Sequence, residues 1–255
     1  MRYKSEKSVF TILVMGLCLF FGGFRLPAQS LYTVTESFDS RLTFSSFPQG
    51  MWDTVGRFNC SPPFSCRGIM PEQQGDTCTL TSPVYDFSSY GQVFLLFDHI
   101  CKISRNDIAC VEIREDYLGA VWHRISSDCY RGGSSAYRQQ QFSDASYPEW
   151  LSDSVSATPS DTWWKTECFN LTSEAAYSKI QFRFKLKKGT DASGQFAFGW
   201  LLDNIRLYAG DRNVLPPYLS LTGRVYAGTV GETGPFVVRF RAEEGFPVQL
   251  SATST

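Results

Sequence analysis

The stretch Lys179-Ile180-Gln181-Phe182-Arg183-Phe184-Lys185-Leu186-Lys187 decides the fold class. Ile180, Phe182, Phe184 and Leu186 occupy every second position, and Gln181, Arg183, Lys185 and Lys187 fill the places between. Successive side chains on a strand point to opposite faces, so this segment is a strand with one face in a core and the other in water. The same reading extends outward. Ile108 to Glu115 alternates too, with Ala109, Val111 and Ile113 inward and Glu112 and Arg114 outward. Val93 to Phe97 is apolar in both phases, as expected of a central strand covered on both sides. Further strands are expected over Leu31–Phe38, Thr79–Val84, Ala120–Ile125, Thr162–Phe169 and Phe196–Tyr208.

Turn-forming runs separate these segments, among them Ser88-Ser89-Tyr90-Gly91, Asp116 to Gly119 and Lys188-Gly189-Thr190-Asp191. Helical periodicity is almost absent. Many short strands punctuated by turns predict an all-β, two-sheet antiparallel jelly-roll sandwich over residues 31–210. A boundary is expected near Gly210 to Pro217, at Leu-Pro-Pro. Beyond it, residues 217–255 carry three strand-like segments, too few for an independent sandwich. They read as an incomplete, immunoglobulin-like β module, with the polypeptide expected to continue after Thr255.

The amino terminus has a different character. Arg2, Lys4 and Lys7 precede Val9 to Phe24, a 16-residue apolar run, and Ala28-Gln29-Ser30 supplies small residues at a cleavage position. The run is shorter than the ~20 residues a spanning helix needs. Residues 1–30 are therefore expected to be a signal peptide that exports the protein to the cell surface or medium, with no transmembrane segment after its removal. Arg25, just after the run, leaves an uncleaved anchor as the competing reading. Losing Arg2, Lys4, Lys7 and Arg25 against Glu6 leaves 20 basic and 24 acidic residues, a net of -4. Such a chain has no basic footprint for nucleic acid.

Seven cysteines follow the expected cleavage point: Cys60, Cys66, Cys78, Cys101, Cys110, Cys129 and Cys168. Zinc would want C-x-x-C pairs or histidine clusters, and the chain has neither, with only His99 and His123 available. Disulfides suit an oxidising compartment better. Cys101 and Cys110 bracket a polar turn and are candidates for a cross-hairpin bridge; Cys60 and Cys66 flank Ser-Pro-Pro-Phe-Ser and could close a small loop. An odd count leaves a thiol over, and spacing alone leaves the connectivity open.

Catalytic motifs are missing: there is no G-x-S-x-G, no H-E-x-x-H and no glycine-rich phosphate loop. His99 lies on the central apolar strand and reads as a buried core histidine. The acidic group Glu112, Glu115 and Asp116 reads as a solvated strand end. The chain is therefore read as not an enzyme. Aromatic residues suggest binding instead, because sugars stack on exposed rings. Trp163-Trp164 are adjacent on an expected strand, so one of them faces away from the core unless the neighbouring loop covers it. Trp150 and Tyr147 lie in that loop, Asp128 to Ser160, which is rich in Ser, Tyr, Gln and Asp. These four are the candidate ligand-binding residues; Trp52, Trp122 and Trp200 are assigned to the core or its edge.

The order of motifs adds a resemblance. Glu36-Ser37-Phe38-Asp39 is followed by Phe47-Pro48-Gln49-Gly50-Met51-Trp52 and by Leu80-Thr81-Ser82-Pro83. Then come Phe94-Leu95-Leu96-Phe97-Asp98-His99, Asp107 to Ile113, Trp122, and the closing Gly199-Trp200-Leu201-Leu202-Asp203-Asn204-Ile205. From Glu36 to Leu207 this resembles the MAM-like jelly-roll domains of bacterial surface proteins, including the cleaved-adhesin and choice-of-anchor J groups. The resemblance implies a non-catalytic adhesion or binding module within a larger extracellular protein. Its partner would be a host or matrix protein or, on the alternative reading, a glycan bound on behalf of a secreted hydrolase or protease. It also implies a structural calcium at positions matching Glu36, Asp39 and Asp203, which are oxygen donors of the kind calcium takes. The competing reading is that Asp203 and Asn204 satisfy backbone groups where the last strand bends.

Overall fold

A computed structural model describes residues 32–40, 42–125, 140–151, 153–190 and 196–210. The expected signal peptide and the expected module at 217–255 lie outside these residues. The described part is a sandwich of two antiparallel sheets, as the alternation predicts.

In chain order the strands are β1 (Tyr32–Glu36), β2 (Ser45–Phe47), β3 (Trp52–Val55), β4 (Ser65–Gly68), β5 (Thr77–Thr81) and β6 (Tyr85–Asp86). They continue with β7 (Gln92–Lys102), β8 (Ile108–Glu115), β9 (His123–Arg124), β10 (Lys165–Asn170), β11 (Lys179–Lys187) and β12 (Gly199–Gly210). The first sheet runs β10-β7-β12-β4-β3, with β1 also on β12; the second runs β2-β5-β11-β8-β9, with β6 also on β11. Among the described residues, helix is limited to single turns at Pro148–Leu151 and Thr172–Ala175 and a 3-10 turn at Asp161–Trp163.

The core lies between the sheets. Ile180, Phe182, Phe184 and Leu186 of β11 all enter it, as do Leu95 and Phe97 of β7 and Trp200 and Leu202 of β12. Phe97 meets Phe142, Phe169 and Phe184 edge-on at centroid distances of 5.1–6.3 Å. Burying each such ring contributes about 1.5–3 kcal/mol. Gly68 is required on β4 because a Cβ there would lie 2.6 Å from the Trp52 ring.

Three expectations need correction. Thr162 to Trp164 is a turn before β10 rather than the start of a strand, so Trp163 and Trp164 are not alternating strand residues. The segment Ala120 to Ile125 contributes only His123–Arg124 to a sheet. Most consequentially, β7 and β8 do not form a hairpin: the turn between them carries the chain from the first sheet to the second. Cys101 and Cys110 therefore sit in different sheets, and neither they nor Cys60 and Cys66 are bridged; all four are free thiols. The buried thiols behave as small apolar side chains, and burial pushes Cys110 up to about 11.

Candidate functional site: the outer face of the second sheet

Antiparallel sheets that bury one face leave the other to water. On the second sheet that outer face carries Gln181, Arg183 and Lys185 from β11, Arg114 and Glu112 from β8, and Thr79 and Thr81 from β5. The register aligns Gln181 with Arg114, Arg183 with both Glu112 and Thr81, and Lys185 with Thr79. Arg124 of β9 lies opposite Glu112 and extends the row.

Glu112 is buried, which corrects its reading as part of a solvated strand end. Arg183 Nε donates to its Oε2 at 2.7 Å, and Lys185 Nζ to its Oε1 at 2.9 Å. Burial alone would raise the Glu112 carboxyl, but the hydrogen bonds and charges of Lys185 and Arg183 outweigh it and hold the group below its ordinary range. Arg114 binds Gln181 Oε1 through Nη2 at 2.6 Å, and the Gln181 amide donates to the Ser82 carbonyl at 3.0 Å. The guanidiniums are thus held in place rather than trailing in solvent.

Trp122 stacks on this network. Its ring has the Arg183 guanidinium carbon 4.3 Å from its centroid and that of Arg114 at 4.6 Å, both within cation–π range. The side chain is half-buried and stays outside the core cluster, whereas Trp52 and Trp200, read with it as core or core-edge residues, lie inside. The signal lay in the phase: Trp122 and Arg124 share one face, while Ile125 alone of this segment enters the core. At the opposite edge Phe47 of β2, aligned with Thr79, is 72% exposed. Four strand spacings separate β2 from β9, about 19 Å. The result is a polar floor with an aromatic ring at each side.

The four aromatic residues singled out from sequence lie elsewhere. The fold brings them together, but inward. Trp150 is fully buried and donates Nε1 to the Trp163 carbonyl at 2.8 Å; Trp163 is 8% exposed and lies under the Lys102 ammonium, 5.1 Å away. Trp164 is half-buried against the core. Tyr147 packs on Trp150 at 4.6 Å and gives its hydroxyl to Glu167. Lys102, itself fully buried, ties this segment down by donating to the carbonyls of Trp150 and Asp153. Within the Asp128–Ser160 stretch, Phe142, Ser143, Ser146 and Trp150 are thus part of the packed body, while Leu151, Asp153, Ser154, Ser156, Thr158 and Ser160 are exposed; residues 126–139 and 152 lie outside the described residues. Trp150 and Trp163 have no face to offer a ligand.

His99 is sealed in the same region. Trp200 Nε1 donates to its Nδ1 at 3.1 Å, and its Nε2 lies 3.4 Å from Glu167 Oε1. With no exposed surface it cannot meet a substrate, in keeping with its reading as a core histidine.

Of the residues matched to a calcium site, Glu36 and Asp203 are committed to protein donors. Glu36 accepts from the Phe38 amide at 2.8 Å and from the Thr43 hydroxyl. Asp39 is exposed and receives only the Phe64 amide at 3.4 Å. Asp203 accepts the amides of Cys60, Ser61 and Asn204 at 2.8, 2.9 and 2.7 Å, so it satisfies backbone groups where β12 bulges between Asp203 and Arg206. These N–H and O–H donors point at oxygens a cation would need. No group of three or more His, Cys, Asp or Glu suited to a metal occurs among the described residues. No helix among the described residues is long and apolar enough to cross a membrane.

No family model and no curated protein matches the chain. Solved structures similar to it include the CBM22-1 xylan-binding domain of Paenibacillus barcinonensis Xyn10C, at 11% identity over 72% of this chain and 98% of that one, TM-score 0.39. A second is the K1 cleaved adhesin domain of Lys-gingipain from Porphyromonas gingivalis W83, at 12% identity over 69% and 97%, TM-score 0.37. A third is the family 11 carbohydrate-binding module of Clostridium thermocellum Lic26A-Cel5E, at 11% identity over 74% and 98%, TM-score 0.38. At that distance the likeness carries no ligand from those proteins to this one.

Proposed function

We propose that the chain is a non-catalytic binding module of an exported protein, and that the outer face of its second sheet takes a carbohydrate chain. The observation that carries this reading is Trp122, a partly exposed ring fixed on Arg114 and Arg183 at one side of a polar floor, with Phe47 exposed at the other. Sugars combine apolar ring faces with dense hydroxyls, and they are recognised by aromatic rings beside ordered polar groups. The reading of the long loop as a protein-binding surface has less support, because its aromatic residues Tyr147 and Trp150 are turned into the body.

Glycan-array or affinity-gel binding tests the proposal. Trp122→Ala should weaken retention by any bound glycan at least tenfold while the fold persists. Glycan binding that is indifferent to Trp122 would overturn the assignment of the face, and a protein ligand bound equally by the variant would restore the adhesion reading.

A further inference from the structure

Accepting that reading of the outer face, its chemistry narrows the ligand. We infer that it binds an anionic polysaccharide, one whose sugars carry carboxylate or sulfate groups. The first observation is charge. Among the described residues of this face six cations, Lys179, Arg183, Lys185, Lys187, Arg114 and Arg124, stand against two carboxylates, Glu112 and Asp86, and Asp86 is paired with Lys179 at 3.0 Å. The chain as a whole is close to neutral, at -1. Glu112 is also masked: its side chain is 7% exposed, against 20% for Arg183 and 23% for Lys185, so the cations stand nearer to water than the anion does.

The second observation is the balance of donors and acceptors. A neutral sugar offers hydroxyls, which donate as well as accept, and a face that reads them needs acceptors of its own. Here Glu112 spends Oε2 on Arg183 and Oε1 on Lys185, and Gln181 spends Oε1 on Arg114. Arg183 uses Nε and Nη2 on Glu112, and Lys185 uses one of three ammonium hydrogens. What the charged groups retain are donors. Arginine and lysine have no acceptor, and an ionised carboxylate or sulfate has no donor, so the two are complementary. Trp122 and Phe47 add ring surface that a simple polyanion would not use.

The test uses the full chain on immobilised alginate, polygalacturonate and chondroitin sulfate. Each is set beside its carboxyl-reduced or desulfated form, with polyglutamate as a sugar-free polyanion. Retention by at least one charged polysaccharide is expected. It should fall at least tenfold on the neutralised form, in Trp122→Ala, and in Arg114→Gln or Lys185→Gln, with each variant's melting temperature confirming that it folds. Equal retention of charged and neutralised forms, lost in Trp122→Ala, would overturn this inference and leave the carbohydrate reading standing. Retention by polyglutamate as tight as by polysaccharide, and unchanged in Trp122→Ala, would overturn both, as would no retention of any polysaccharide.

Discussion

Both sheets carry charged groups on their outer faces, yet they spend that charge differently. On the first sheet, Asp98 of β7 and Asp203 of β12 stand side by side in register, both buried. Asp203 anchors the Cys60–Ser61 backbone, Asn204 Nδ2 donates to Asp98 at 2.9 Å, and Arg206 lies 3.5 Å from the same carboxylate. This face is consumed in holding a loop down. On the second sheet the Glu112 carboxylate is sunk between Arg183 and Lys185, and the surplus cations and Trp122 stay at the surface. A polar group that satisfies backbone donors builds the fold; one whose donors remain unspent is free to meet a ligand.

That contrast is most easily broken at Asp203. Asp203→Ala leaves the amides of Cys60, Ser61 and Asn204 without an acceptor, and the expected loss is about 3 kcal/mol in urea unfolding. Trp122→Ala should cost well under half as much. Equal losses would mean that the second face is as structural as the first.

Glu112→Gln comes next, at about 1–2 kcal/mol near neutral pH, because Arg183 and Lys185 lose their counter-charge while part of the pair stays solvated. The Glu112 carboxyl is held below its ordinary range in the folded protein, so its contribution is full above the unfolded value and disappears as pH falls through the folded one. Wild type and variant should therefore converge in acid. Asp203 has the opposite sign: burial first, and Asp98 after it, raise its carboxyl against the pull of the three amides. Its titration adds stability below the unfolded value that is lost as pH rises through the folded one. Unfolding curves across the acidic range distinguish the two, and parallel behaviour would dissolve the distinction between the faces.

A smaller effect concerns Cys60, which reaches solvent beside the first face. Partial burial, then Asp98 and Asp203, push its thiol up to about 11. Its reaction with a thiol reagent at neutral pH should be about a hundredfold slower than that of a free cysteine, and Asp98→Asn should speed it. Rapid labelling in the wild type would show that the carboxylates do not face the sulfur. The smallest expectation is for calcium: excess calcium and excess chelator should give the same melting temperature, since backbone N–H groups and the Thr43 hydroxyl already donate to the oxygens of Glu36 and Asp203. A rise with calcium would restore a metal site there.

By itself the sequence determined the class of fold and the phase of its strands. Ile180, Phe182, Phe184 and Leu186 go inward because a strand has a period of two and the apolar set must leave water together. His99 was legible as a core residue for the same reason. The partners of each strand were not legible, because period two says which side a residue faces and nothing about which sheet it joins. Cys101 and Cys110 looked like hairpin neighbours, and only the crossing from β7 to β8 placed them in opposite sheets. Aromatic residues were the hardest to place. A tryptophan lowers its free energy either in a core or on a cationic surface, so identity cannot choose between them. The tertiary structure chose: it folded Trp150 and Trp163 under Lys102, and set Trp122 on two arginines contributed by strands 69 residues apart in sequence, at Arg114 and Arg183.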